Sequence, residues 1–299
     1  MALALTLAIG ATAQAPALGV PSVFSLPGPS RFAPTGGVAV DGGANVYFAG
    51  VTGASGRFLW AYNRATGQVT SVAPNSSIAS AQALAVDHQG NLYVADASAN
   101  KIWKVTPAGT VSALAATSSA PIALAVDGSG NLYYATSSEV FRIAGVNGVP
   151  GSGAAQVVAG GGHSALSNGT IRKKQATDVR LEPSGVATDA SGDLYIALTD
   201  NNIVTELASN GTLQIVAGQL NQTSGGSGNG NIGHGGHGGN YDGNGHSGSN
   251  GDGGPATSAY LSGPQALTFG AAGNLYIAEN AGTDIREVFA ATGAIATIA

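Results

Sequence analysis

The chain has no cysteine. That excludes disulfides, thiolate nucleophiles and Cys-ligated zinc, but not export, because a domain of this size buries enough apolar area without covalent staples. Charge is scarce as well: 9% of the 299 residues are charged, with 11 Lys and Arg against 16 Asp and Glu. The only basic cluster is Arg172, Lys173 and Lys174. A nucleic-acid partner requires several cations to displace counterions, so this cluster reads as a solvated loop and no nucleic acid is expected. Long amphipathic periods bounded by caps are missing, which argues against long helices. No apolar run is long enough to span a bilayer.

What the chain has is glycine, 47 residues of it, and many short Val-, Ala- and Thr-rich runs. That combination indicates an all-β chain with tight turns. One decamer, DHQGNLYVAD at 87–96, returns as DGSGNLYYAT from Asp127, DASGDLYIAL from Asp189, DGGANVYFAG from Asp41 and GAAGNLYIAE from Gly270. The fifth residues, Asn45, Asn91, Asn131, Asp193 and Asn274, are spaced by 46, 40, 62 and 81. A unit of 40–46 residues is the period of a propeller blade. The two longer spacings are a unit plus an insertion.

Within a unit four β-like runs follow one another, for example ALAV (83–86), NLYVA (91–95), KIWKV (101–105) and TVSALA (110–115). The expected fold is a β-propeller of four-stranded antiparallel blades at about 36–74, 82–116, 121–161, 183–218 and 263–299. Insertions fall at 160–182 and 219–263. Five repeats are visible, and two readings stay open: a five-bladed ring, or an incomplete six-bladed one. The expected domain spans 17–299, after a signal peptide at 1–16 with a small-residue cleavage site at Ala11-Thr12-Ala13. The expected location is secreted, periplasmic or at the cell surface.

The decamer is a hairpin. Asp41, Asp87, Asp127 and Asp189 are spaced like catalytic residues, but their repetition in four blades assigns them to the turn, where Asp accepts backbone N–H bonds.

These motifs resemble the NHL-repeat family of β-propellers. The resemblance rests on GVAVD…GANVYFA, ALAVD…GNLYVAD…NKIWKV and ALTFG…GNLYIAE…TDIREV, and on the linker GDGGPATSAYLSGP (251–264), with a weaker copy KKQATDVRLEP at 173–183. It implies a propeller over about 36–299 and no particular activity, because this fold hosts binders, scaffolds and enzymes.

Function concentrates on loops held by a rigid scaffold. In a propeller the loops between second and third strands share a face with the connections from one blade to the next. Asp96, Asn100, Asp200, Asn202, Glu279 and Asp284 are the ligand candidates on that face, which both insertions are expected to crowd and wall. His234, His237 and His246, in a tract that is half glycine, are candidate ligands for a weakly held transition metal; no other cofactor is expected. No Gly-x-Ser-x-Gly elbow, His-Glu zinc pair or phosphate loop is present. The expected role is a non-enzymatic scaffold or binding module for a protein or glycan. The alternative is a divalent-metal propeller hydrolase, lactonase or lyase with its site on the same face.

Overall fold

The computed structural model describes residues 32–52, 57–74, 77–167, 171–220, 251–282 and 284–299. The proposed signal peptide and the three histidines of the Gly-rich tract lie outside them.

Five four-stranded antiparallel sheets follow in chain order, with β-propeller architecture. Blade 1 consists of β1 (Phe32–Val40), β2 (Val46–Thr52), β3 (Arg57–Asn63) and β4 (Gln68–Val72). Blade 2 has β5 (Ala81–Val86), β6 (Leu92–Asp96), β7 (Lys101–Val105) and β8 (Val111–Ala116). Blade 3 has β9 (Ala123–Val126), β10 (Leu132–Ala135) and β11 (Glu139–Ile143), then a small extra hairpin of β12 (Gly145–Val146) and β13 (Val149–Pro150), then β14 (Gln156–Gly160). Blade 4 has β15 (Gly185–Thr188), β16 (Leu194–Leu198), β17 (Ile203–Leu207) and β18 (Leu213–Gly218). Blade 5 has β19 (Pro264–Phe269), β20 (Leu275–Glu279), β21 (Ile285–Val288) and β22 (Ile295–Thr297). Helix among the described residues is limited to single 3-10 turns at Ala176–Asp178, Thr199–Asn201 and Ala256–Ser258.

The first strand of each blade is innermost, and successive inner strands pack on one another: β1 on β5, β5 on β9, β9 on β15 and β15 on β19. No comparable packing joins β19 to β1 among the described residues. The core is a series of clusters between adjacent sheets. Ala83, Ala85, Tyr93, Ala95 and Ile102 of blade 2 meet Leu124, Leu132, Tyr134, Phe141 and Ile143 of blade 3. Both faces of an interior second strand are therefore covered, and all five residues of β6 are buried. The period-two pattern puts small residues and Tyr on the face toward the next blade and Leu, Val or Ile on the face toward the previous one. Each fully buried Leu or Ile contributes roughly 1.5–3 kcal/mol.

The repeated aspartates close their own hairpins. The Asp87 carboxylate accepts the backbone N–H groups of Gln89 and Asn91, the Asn91 side-chain amide and the Tyr93 hydroxyl, all at 2.8–2.9 Å. Asp127 repeats the set with Ser129, Asn131 and Tyr133, and Asp41 with Gly43, Asn45 and Tyr47. The fourth turn residue needs positive φ, supplied by Gly90 (77°), Gly130 (80°), Gly192 (87°) and Gly273 (79°), whereas in blade 1 Ala44 takes φ 60°.

Candidate functional site

Because each blade is a simple meander, the β5–β6 and β7–β8 types of turn share one end of the molecule. The second-to-third loops and the blade-to-blade connections share the other, which we call the loop end.

Asp96, last residue of β6, is 0% exposed. Its carboxylate accepts from the backbone of Ala79 (2.9 Å), Ser80 (3.2 Å) and Ala99 (3.1 Å) and from the Trp103 indole (3.2 Å). It ties the incoming connection of blade 2 to that blade's own loop. Glu279 occupies the same position in β20, is 6% exposed, and accepts from Ser262 N–H at 3.0 Å. Burial raises its pKa, opposed by the Ser262 N–H bond and the Arg286 charge. Arg286 is fully buried between Glu279 (3.7 Å) and Asp252 (2.8 Å) and donates to the Tyr260 carbonyl at 2.9 Å. Burial alone would raise the Asp252 pKa, but the Thr297 hydrogen bonds and Arg286 hold it below the ordinary value.

The other ligand candidates differ. Asn100 and Asp200 are exposed, and Asn202 and Asp284 are half-buried. Asn100 and Asn202 occupy equivalent left-handed turn positions, φ 50° and 54°. Asn202 accepts from Gly263 N–H at 2.8 Å and so links the blade 4 loop to the connection entering blade 5. Of the six candidates, Glu279 and Asp284 are neighbours: the Glu279 N–H donates to the Asp284 carbonyl at 2.9 Å. The other four also fall in pairs on one loop each, Asp96 with Asn100 in blade 2 and Asp200 with Asn202 in blade 4. Among the described residues no three His, Asp or Glu side chains are grouped to hold a metal ion. The inner strands carry no ionisable side chain: their sequences are FAPTGGVAV, AQALAV, ALAV, GVAT and PQALTF.

The described parts of the insertions do not simply stand on the loop end, as the sequence suggested. Each begins and returns there, but its returning limb descends the outer flank of the following blade. Arg172 N–H and Ala176 N–H donate to the carbonyls of Leu213 and Gly211, at the turn into β18 on the opposite end. Gly253 N–H and Ala256 N–H donate likewise to Ile295 and Gly293 at the turn into β22. The two limbs are copies of one clasp. QATDVRLEP and PATSAYLSG each make a 3-10 turn, then bury Val179 and Leu181, or Ala259 and Leu261. A shallow depression of about 390 Å³ lies on the first insertion, lined by Gly161, Gly162, His163, Ser164, Lys174, Thr177 and Asp178. None of the six candidates lines it.

No family model matches the chain, and no curated protein matches it. Solved structures do. A virginiamycin B lyase from Staphylococcus aureus matches at 17% identity and TM-score 0.52, over 88% of this chain and 69% of its own. An auxiliary nutrient binding protein from Bacteroides ovatus matches at 14% and TM-score 0.56, over 89% and 57%. A putative gluconolactonase matches at 14% and TM-score 0.53, over 89% and 77%. These neighbours mix enzymes with binding proteins, and at such identities the likeness is one of fold: the chain is a β-propeller.

Proposed function

We propose that the chain is a non-enzymatic, exported binding propeller that engages a protein or glycan through its loop end. The observation that carries this reading is the state of the two buried carboxylates there. Asp96 is occupied by three backbone N–H groups and an indole, and Glu279 by a backbone N–H beside a buried arginine. A general base or metal ligand needs a free lone pair facing substrate, and these two are engaged inside the fold. What is exposed there, Asn100 and Asp200, flanked by the half-buried Asn202 and Asp284, is a set of hydrogen-bonding groups suited to polar recognition. The likeness to auxiliary nutrient binding proteins is in keeping with a binding role.

The second reading is a hydrolase or lyase at the same end, favoured by the likeness to a virginiamycin B lyase and a putative gluconolactonase. A glycan and peptide array separates wild type from Asp200→Lys/Asp284→Lys. Capture of one ligand class by wild type, lost in the double variant and kept in Asp178→Lys, supports a defined site. Equal loss in all variants means that net charge alone drives capture.

A further inference from the structure

The second strands of blades 1 to 4 end their small-residue row in Ala49, Ala95, Ala135 and Ala197, which are 3%, 0%, 0% and 0% exposed. The fifth member of that series, Ala278, is half-exposed. Across from these alanines the third strands place Leu59, Ile102, Val140 and Val204, at 4%, 0%, 0% and 0% exposure, and then Ile285, half-exposed. On the inner strands Ala83 and Ala85 of blade 2 and Ala123 and Ala125 of blade 3 are buried, whereas Ala266 and Thr268 of blade 5 are exposed. One face of blade 5 thus has the composition of an internal blade interface, and nothing among the described residues covers it. Its other face is packed: Leu275, Ile277 and Ile295 join Val204 and Ala217 of blade 4.

Among the described residues, blade 1 does not supply the cover. Its opposing residues Val46, Phe48 and Tyr62 are already buried in a cluster that contains no residue of blade 5. We propose that the uncovered face of blade 5 is a docking surface for a further four-stranded blade of the same repeat. The occupant is identified by continuity with four existing interfaces. In each, the Ala and Tyr face receives a blade presenting large aliphatic residues on its first turns of strand: Leu92 and Val94, Leu132 with Tyr134, Leu194 and Ile196, or Leu275 and Ile277. A face built to that repeat geometry fits the same aliphatic ridge and excludes water from Tyr276, Ala278 and Ile285.

The test appends a second copy of residues 75–116, the blade 2 unit, after Ala299 of the full chain. The expected result is a higher melting temperature and about tenfold slower amide exchange over 275–279 and 285–288. Ala278→Arg cancels both gains in the extended chain while leaving the parent's melting temperature unchanged. An appended copy of residues 119–160 is the second variant, in case the first copy does not fold in place. Unchanged melting and exchange in both extended chains overturns the proposal. So does a parent chain whose mass doubles by light scattering and whose 275–288 amides become protected with concentration, because the occupant is then a second copy.

Discussion

The Tyr93 hydroxyl donates to the Asp87 carboxylate at 2.8 Å, from the second residue of one strand back to the turn that precedes it. Burial, this hydrogen bond and the Asp87 charge all push the Tyr93 pKa up. The pair locks a hairpin and an inter-blade contact together, because Tyr93 is also a member of the cluster shared with blade 3. Asp87→Ala strands the donors of Asn91 and Tyr93 in a buried setting. The expected cost is about 2–3 kcal/mol, seen as a lower denaturation midpoint with ligand capture unchanged. Loss of capture at an unchanged midpoint would show the aspartate to be functional.

Asp193 stands where the other turns have Asn. Asn45, Asn91 and Asn131 each donate a side-chain amide to the turn aspartate, and a carboxylate beside Asp189 cannot. Asp193→Asn adds that bond and removes a like-charge pair, for an expected gain of roughly 1 kcal/mol at neutral pH. Equal stability of the two proteins would contradict it.

Ala44 holds φ 60°, where the other four turns use glycine. Ala44→Gly is expected to stabilise by about 0.5–1 kcal/mol through relief of the left-handed conformation. Chemical denaturation measures this directly, and a destabilised variant would overturn it.

The repeat made the blades legible from sequence alone, because each second strand writes Leu or Val and Tyr on alternate faces and most turns write Asp and Gly at fixed offsets, with Ala44 in blade 1 and Gly270 in blade 5 the exceptions. The state of Asp96 and Glu279 was not legible. Both sit at a strand end among polar loop residues, and what saturates them comes largely from the chain some 16 residues earlier. The clasp was visible only as two similar linkers, since the bonds of Ala176 and Ala256 to the next blade's outer turn are backbone bonds without a side-chain signature. The extra hairpin of blade 3 was missed although Asn147-Gly148 marks its turn.

Arg286 is the buried anchor of the second clasp. Arg286→Met leaves Glu279 buried beside Asp252 without a countercharge, an expected loss of about 3–5 kcal/mol. Adding Glu279→Gln should restore part of it, and faster amide exchange should localise to 251–261. A single variant as stable as wild type would mean that the triad is not the anchor.

Tyrosine pKa values are raised at Tyr93, Tyr133 and Tyr195, and to about 12 at Tyr134 and Tyr276, with burial the largest cause at each. A folded pKa above the unfolded value favours the neutral phenol in the fold. That stability is complete below about pH 10 and is lost as pH rises through the folded values. The melting temperature is therefore expected to fall progressively above that pH, together with the rise of phenolate absorbance at 295 nm.

The Gly-rich tract gives a further test. Deleting 225–250 should leave the melting temperature nearly unchanged, since closure entropy varies slowly with loop length. Nickel titration of the full chain should saturate near one equivalent and vanish in the His234→Ala/His237→Ala/His246→Ala variant. A null titration removes the metal proposal.

The most direct measurement of the central claim, that this propeller binds and does not turn over, is a hydrolase and lyase substrate panel. It is run with added Ca²⁺, Mg²⁺ or Ni²⁺ on wild type and on conservative Asp96→Asn and Glu279→Gln variants. The expected result is product formation at the uncatalysed rate for all three proteins. Turnover by wild type that disappears in either variant, at an unchanged melting temperature, would contradict it and place a catalytic carboxylate at the loop end.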